Sequence, residues 1–325
     1  MPLPSPSFDQ LQVMLAVVET GSFSAAARQL NRAQSAVTYA VQHLEEQLGA
    51  LLFDRSSYRP RLTEAGRTLL PRARRIADEL QALCEQAQGI SAGLEPELTL
   101  VVEAMFPMEA LLGALKTFGT RFPSVPPRLY VESMGAAAEL VLNGTCVLGL
   151  LSTFSSEFAP LMRRRLIDIT LIQVAAPSHP LGRFDGPVPR EELRRHVQLV
   201  LTDRSGLTGS RDYGVFSPLT WRLADLGAKH SMLRAGLGWG GMPAHLVAED
   251  MAADRLRRIT IEREGDMEDT VTLPLCAAYA HERPPGPAGR WLLEHLAEVL
   301  ETPNAPVPIK TGPWVQGGSE TGLEG

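Results

Sequence analysis

Gln34, Ser35, Thr38, Tyr39 and Gln42 recur at helical spacing and would stand together on one face of a single helix. A glutamine amide such as that of Gln34 can pair bidentately with adenine. The hydroxyls of Ser35, Thr38 and Tyr39 can bond phosphates or base edges. Around them stand Arg28, Arg32, Arg55, Arg59 and Arg61, whose guanidinium groups suit phosphate or minor-groove contact. Polar side chains near the start of a helix, flanked by arginines, are what a helix lying in a DNA groove requires. The plainer alternative is that these residues form the solvated face of a small helical domain.

The elements that must position this face are legible around it. Phe8, Leu11, Met14, Leu15 and Val18 make the apolar stripe of a first helix over about 8–19. Gly21 is its terminator and Ser22 the N-cap of a second, Ala-rich helix over about 23–30, where Ala25, Ala26 and Leu30 allow close packing. Asn31 stands where a left-handed turn residue is needed. The third helix spans about 34–48, with Ala36 or Val37, Val41, Leu44 and Leu48 as its buried face and Gly49 as its stop. Residues 50–63 read as two short extended arms around a Pro-containing tip, a wing. Residues 64–89 read as one long helix with Ala65, Leu69, Leu70, Ile76, Leu80, Leu83 and Ala87 near heptad spacing and a possible bend at Pro71. Such a helix has to cover its stripe with another copy. GISAGLEP (89–96) reads as a hinge-like linker.

From Glu97 the pattern becomes strands alternating with helices, which predicts a mainly parallel α/β sheet. Strands are expected at 98–103, 128–132, 146–151, 171–175, 197–201 and 270–279, with a further segment of unassigned type around 221–223. Helices are expected at 108–122, 135–142, 228–235, 243–249 and 287–300. Residues 302–325 are Gly/Pro-rich without periodicity and predict a disordered tail.

Length and composition fit this plan. A chain of 325 residues with 44% apolar and 21% charged residues is ordinary globular protein in two or three domains. The net charge of -6 excludes a polybasic nucleic-acid binder. Up to Arg75, however, nine arginines face six acids, +3, which leaves -9 for the rest of the chain. Cys84, Cys146 and Cys276 are odd in number and far apart, which predicts buried thiols in a reduced compartment. No basic, apolar leader and no long apolar span is present, so a cytoplasmic protein without a membrane partner is expected.

Four segments, GSFSAAARQL (21–30), AQSAV (33–37), LEEQLGALLFDR (44–55) and LTEAG (62–66), resemble the LysR-type transcriptional regulators. LRAGLGWGGMPAHLV (233–247) is similar to the Gly-rich turn and helix start late in that family's effector domain. The resemblance covers about 8–300. It implies an all-α winged helix-turn-helix domain (1–65, the motif proper at 23–42), a linker and dimerisation helix (66–95) and a two-lobed α/β effector domain (96–301) similar to periplasmic solute-binding proteins. The tail would be 302–325. It further implies a sequence-specific transcriptional regulator that binds double-stranded promoter DNA under control of a small-molecule effector and self-associates as a dimer or tetramer. Two departures bear on base reading: Thr38 stands where serine is usual in the family, and Tyr39 and Ala40 occupy positions often basic or amide-bearing.

A two-lobed α/β domain takes its ligand beyond the carboxyl ends of the strands. The candidates there are Ala104, Met105, Ser133, Met134, Thr202, Asp203, Trp239 and Met242. Ser133 and Gly135 lie at a strand-to-helix junction whose free N–H groups could hold a carboxylate. The methionines and the tryptophan would favour a partly apolar ligand. GLGWGG (236–241) formally matches a dinucleotide fingerprint, but a helix precedes it, so helix-terminating glycines are the reading and no cofactor is expected. The seven histidines show no metal-ligand spacing and there is no G-x-S-x-G elbow. The competing readings are a cytoplasmic solute-binding module and an α/β enzyme, both without DNA binding.

Overall fold

The computed structural model describes residues 6–56, 59–152, 160–207, 212–262, 270–301 and the pair 315–316. The chain divides into two compact units, Met1–Gln88 and Gly89–Gly325.

In the first unit α1 (Phe8–Thr20), α2 (Phe23–Gln29) and α3 (Gln34–Leu48) precede a two-stranded antiparallel hairpin, β1 (Phe53–Asp54) and β2 (Arg61–Leu62). α4 (Glu64–Ser91) follows and carries Pro71 inside it. Ser22 caps α2 by accepting from the Ala25 N–H, 3.2 Å. Asn31 and the two stops Gly21 and Gly49 all have positive φ, as their places in the turns require. Val13, Met14, Val17, Ala26, Val37, Val41 and Leu44 fill the core with Leu52 and Phe53 of the hairpin. Val37, Val41 and Leu44 are buried as expected, but the face differs at its end: Leu48 is exposed and Glu45 is buried. The LTEAG segment has a mechanical reason: Thr63 accepts from the Gly66 N–H (3.0 Å) and donates to the Leu51 carbonyl (2.6 Å), and a Cβ at Gly66 would overlap the Leu52 carbonyl.

The second unit is built on one mixed sheet. Its elements are β3 (Leu98–Glu103), α5 (Met108–Arg121), β4 (Pro127–Glu132), α6 (Gly135–Leu142), β5 (Leu148–Ser152), β6 (Leu161–Ala175), α7 (Arg190–Leu193), β7 (Gln198–Leu201), β8 (Thr220–Leu223), α8 (Leu226–Arg234), β9 (Trp239–Pro243), α9 (Ala244–Ala252), β10 (Arg257–Ile259), β11 (Val271–Ala280), α10 (Pro287–Glu301) and β12 (Val315–Gln316). The strand order is β4-β3-β5-β11-β6-β9-β7-β8, with β10 and β12 also pairing with β6. Pairing is parallel in β4-β3-β5 and in β9-β7-β8, and antiparallel wherever β6 or β11 takes part. The expected mainly parallel sheet is therefore corrected. Two parallel halves are joined by the two longest strands running in opposite senses. The first ten residues of β6 escape sequence reading because LMRRRLIDIT carries three arginines and an acid, which breaks the apolar run.

Three further expectations shift. GISAGLEP is tied down at its end: Glu95 accepts from the Ala288 (3.1 Å) and Gly289 (2.9 Å) N–H groups at the start of α10, where a carboxylate meets the positive end of the helix. Most of 302–325 lies outside the described residues, but Val315–Gln316 pairs with Arg163 and Met162 of β6 instead of standing free of structure. Cys146 and Cys276 are buried, and burial pushes the Cys146 thiol up to about 11, but Cys84 is exposed on α4.

Candidate nucleic-acid interface and effector cleft

α3 presents Gln34, Ser35, Tyr39 and Gln42 to solvent, with Thr38 half-buried beside them. The opposite face carries Val37, Val41 and Leu44, so the packing of one stripe fixes the direction of the other. Tyr39 is 67% exposed yet not loose: its ring stacks on His43, centroids 5.9 Å apart and planes 7° from parallel. His43 Nδ1 accepts from Gln10 Nε2 (2.7 Å), and the Gln10 amide is oriented by the Ser7 N–H donating to its Oε1 (2.7 Å). Neither His43 nor Gln10 is among the residues expected from sequence, because a support that arrives from another helix leaves no local pattern.

Arg28, Arg32, Arg55, Arg59 and Arg61 are all exposed, and Arg32 and Arg55 also pair with acids of this unit. Arg32 makes a bidentate pair with Asp9 (2.8 and 2.6 Å), fastening the start of α3 to α1. Arg55 donates to Glu45 (2.9 Å) and lies over the Phe23 ring at 5.1 Å. Glu45 also accepts from the Leu52 (2.7 Å) and Phe53 (3.0 Å) N–H groups. One buried carboxylate thus fixes the base of the hairpin to α3. A groove of about 1060 Å³ runs between α3 and the hairpin, lined among others by Gln42, Leu51, Arg55 and Arg61.

In the second unit the expected cleft residues part company. The loop of Ser133 and Met134 after β4 is hydrogen-bonded to the loop of Thr202 and Asp203 after β7, and Ala104 and Met105 follow β3. Asp203 accepts from the Ala136 N–H at 3.1 Å and from Ser205 (N–H 2.9 Å, Oγ 2.6 Å). Arg204 pairs with Glu132, a second link between the same two loops. Glu103, missed from sequence, is fully buried at the end of β3. It accepts from the Met134 N–H (2.9 and 3.0 Å) and the Ser152 hydroxyl (3.0 Å). Burial pushes Glu103 up to about 7 against the pull of these hydrogen bonds. Met134 has φ 56, a strained value for a residue with a side chain, and its N–H is the one Glu103 holds. The N–H groups expected to be free for a ligand carboxylate are therefore partly taken by the protein's own carboxylates.

Met105, Met134 and Met242 belong to the main core at 7%, 5% and 1% exposure, and Ser133 is as buried at 6%, which corrects the expectation of methionines lining an open cleft. Trp239 is corrected likewise: it is completely buried in a separate cluster with Leu181, Val188 and Ile259, and its Nε1 donates to the His196 carbonyl (3.3 Å). The GLGWGG glycines serve the backbone. Gly236 (φ 74) follows the end of α8, and Cβ atoms at Gly238 and Gly240 would overlap the Val197 and Leu199 carbonyls of the β7 edge. Among the described residues no helix is long and apolar enough to cross a membrane.

Residues 8–67 match the model of the bacterial regulatory helix-turn-helix protein, lysR family, and residues 91–301 that of the LysR substrate binding domain. The chain belongs to the LysR family of transcriptional regulators. The HTH-type transcriptional regulator YhaJ of Escherichia coli O157:H7 is 30% identical over 273 residues, 81% of this chain and 88% of that protein. The HTH-type transcriptional regulator PunR of Escherichia coli K12 is 28% identical over 299 residues, 89% and 92% of the two chains. Among solved structures the Corynebacterium glutamicum OxyR C206 mutant has the same fold, with a TM-score of 0.51 and 21% identity over 91% of this chain and 94% of that one. This LysR-family chain is a DNA-binding transcriptional regulator with an effector-binding domain, and no enzyme. Its partners are promoter DNA and a small-molecule effector. The readings as a solute-binding module or an α/β enzyme without DNA binding are set aside.

Proposed function

We propose that the regulator reads promoter DNA through Gln34, Ser35, Thr38, Tyr39 and Gln42 in the major groove. Arg28, Arg59 and Arg61 contact phosphates or the minor groove. Arg32 and Arg55, each already engaged with an acid, hold that surface in place. The observation that carries this reading is the outward, polar face of α3 beside an arginine-bearing hairpin. The DNA-binding domain is 1–65 and the linker 66–95. In the linker Ile76, Leu83 and Ile90 are exposed by 50%, 60% and 52% at seven-residue spacing, the stripe a second copy covers. Two such units would address two half-sites of a pseudo-palindrome. The protein works in the cytoplasm. Effector binding in the 96–301 domain, at the loops bearing Ala104, Ser133, Thr202 and Asp203, shifts the placement of its halves. The spacing of the DNA-binding units shifts with it.

Gel shift of the full chain on its own upstream region, across a salt series, tests this. Specific retardation that weakens steeply with salt is expected. Indifference to salt, or no retardation, contradicts it.

A further inference from the structure

α8 carries Leu226, Lys229 and Leu233 one turn apart, and all three are buried. The two leucines join the main core, as that spacing dictates. Lys229 is the exception, an ammonium side chain only 5% exposed on an apolar stripe. The neighbouring strand accommodates it: an added Cβ at Gly240 would come within 3.4 Å of Lys229 Cε.

A buried cation is ordinarily paired. The nearby acids on this half are engaged elsewhere. Asp225 caps α8 by accepting from the Ala228 N–H (2.5 Å). Asp250 holds His230 (2.5 Å), Arg255 and Arg234 (3.5 Å). Among the described residues no carboxylate neutralises Lys229, and desolvation alone acts on it, drawing its ammonium down to about 8. At neutral pH the group remains mostly charged. The residue type is also unusual for this chain, which has 31 basic residues of which only Lys116, Lys229 and Lys310 are lysines. A slender, titratable ammonium sits where the chain elsewhere uses arginine.

Its helix opens toward the side of the sheet on which open α/β folds take ligands. Only two residues separate the end of β8 from the start of α8, so its N-terminus stands near the carboxyl ends of β7 and β8. Helical side chains lean toward that end, and open α/β sheets take ligands there. We propose that Lys229 is the charge-reading group of the effector domain and that the effector is a small anion, whose carboxylate or phosphate oxygen pairs with the ammonium. This rests on the effector-domain reading above. It agrees with the state of the α6 N-terminus, where Asp203 and Glu103 already hold the Ala136 and Met134 N–H groups, so that a ligand anion needs a cation of its own.

The test uses the full chain labelled with [ε-13C]lysine, whose three lysines give few signals. Thermal unfolding is followed in acetate, succinate and citrate as one arm and in phosphate and glycerol 3-phosphate as the other. Chloride at equal ionic strength is the reference. At least one arm raises the melting temperature of the wild type above chloride and moves the Lys229 signal. Lys229→Met weakens that response about tenfold or more, the loss of one charge-assisted contact. The proposal is overturned if neither arm exceeds chloride, if both proteins respond alike, or if the Lys229 signal stays still. The wild-type signal decides the matter even if the variant fails to fold. Gel shift on the same preparation separates the two readings: retarded DNA without any anion response sinks this inference alone, and absent retardation sinks the regulator reading.

Discussion

On α3 the polar side chains point outward, and the nearest supports, His43 and Gln10, hold one of them in place without covering it. At the ends of β3, β4 and β7 the polar groups turn inward, and Glu103 and Asp203 occupy the N–H groups that open the helix after β4. The first unit is a finished surface waiting for a large partner that brings its own charges. The second is a polar network already satisfied from within, so a ligand must either displace an internal carboxylate or find an uncommitted group. The same chemistry, backbone N–H and side-chain oxygen, serves exposed reading in one unit and internal bracing in the other.

The largest expected effect separates the units energetically. Leu44 is fully buried in the first core, and Leu44→Ala should lower that unit's stability by about 2–5 kcal/mol. The melting of the second unit should stay where it is. A calorimetric trace in which both move together would mean the two are not independent.

Next comes the inward network. Glu103 keeps its proton up to about 7 in the folded state but releases it near 4.5 when unfolded. The folded form therefore binds more protons between these values, and stability should fall by roughly 3 kcal/mol as pH rises through that window. His179 has the opposite sign: burial, aided by His196, draws it down to about 4 from 6.5, so stability is lost as pH falls through that range. The comparison of Glu103→Gln with wild type isolates the first slope, because His179 is common to both. Parallel pH profiles would show that Glu103 is not the buried acid described. A smaller effect, about 1–3 kcal/mol, is expected for Glu45→Ala, which leaves the Leu52 and Phe53 N–H groups without their acceptor. DNA affinity should fall with it as the hairpin loosens, and unchanged affinity would detach the hairpin from the interface.

The legible parts of the molecule are those whose cause is local. Helix spacing and caps such as Ser22, Asn31 and Gly49 mark α1 to α3 in the sequence, and the polar face of α3 follows from the apolar one. What stayed hidden depends on contacts distant along the chain. Glu45 reads as one more solvated acid until the Leu52 and Phe53 amides are seen to converge on it. Trp239 and Met242 fall at a strand terminus, where a ligand was expected, but their side chains turn into two different cores on opposite faces of the sheet. Lys229 is invisible for the same reason, since only packing reveals that its helix face is the buried one.

The central claim, that the outward face of α3 reads bases while the arginines grip the backbone, is tested most directly by comparing Gln34→Ala and Arg61→Ala across a set of single-base operator variants. Gln34→Ala should erase about 1–3 kcal/mol of discrimination at one position and leave the others intact. Arg61→Ala should weaken every variant alike and reduce the salt slope by about 1. Equal, position-independent losses in both proteins would contradict the assignment of α3 as the reading helix.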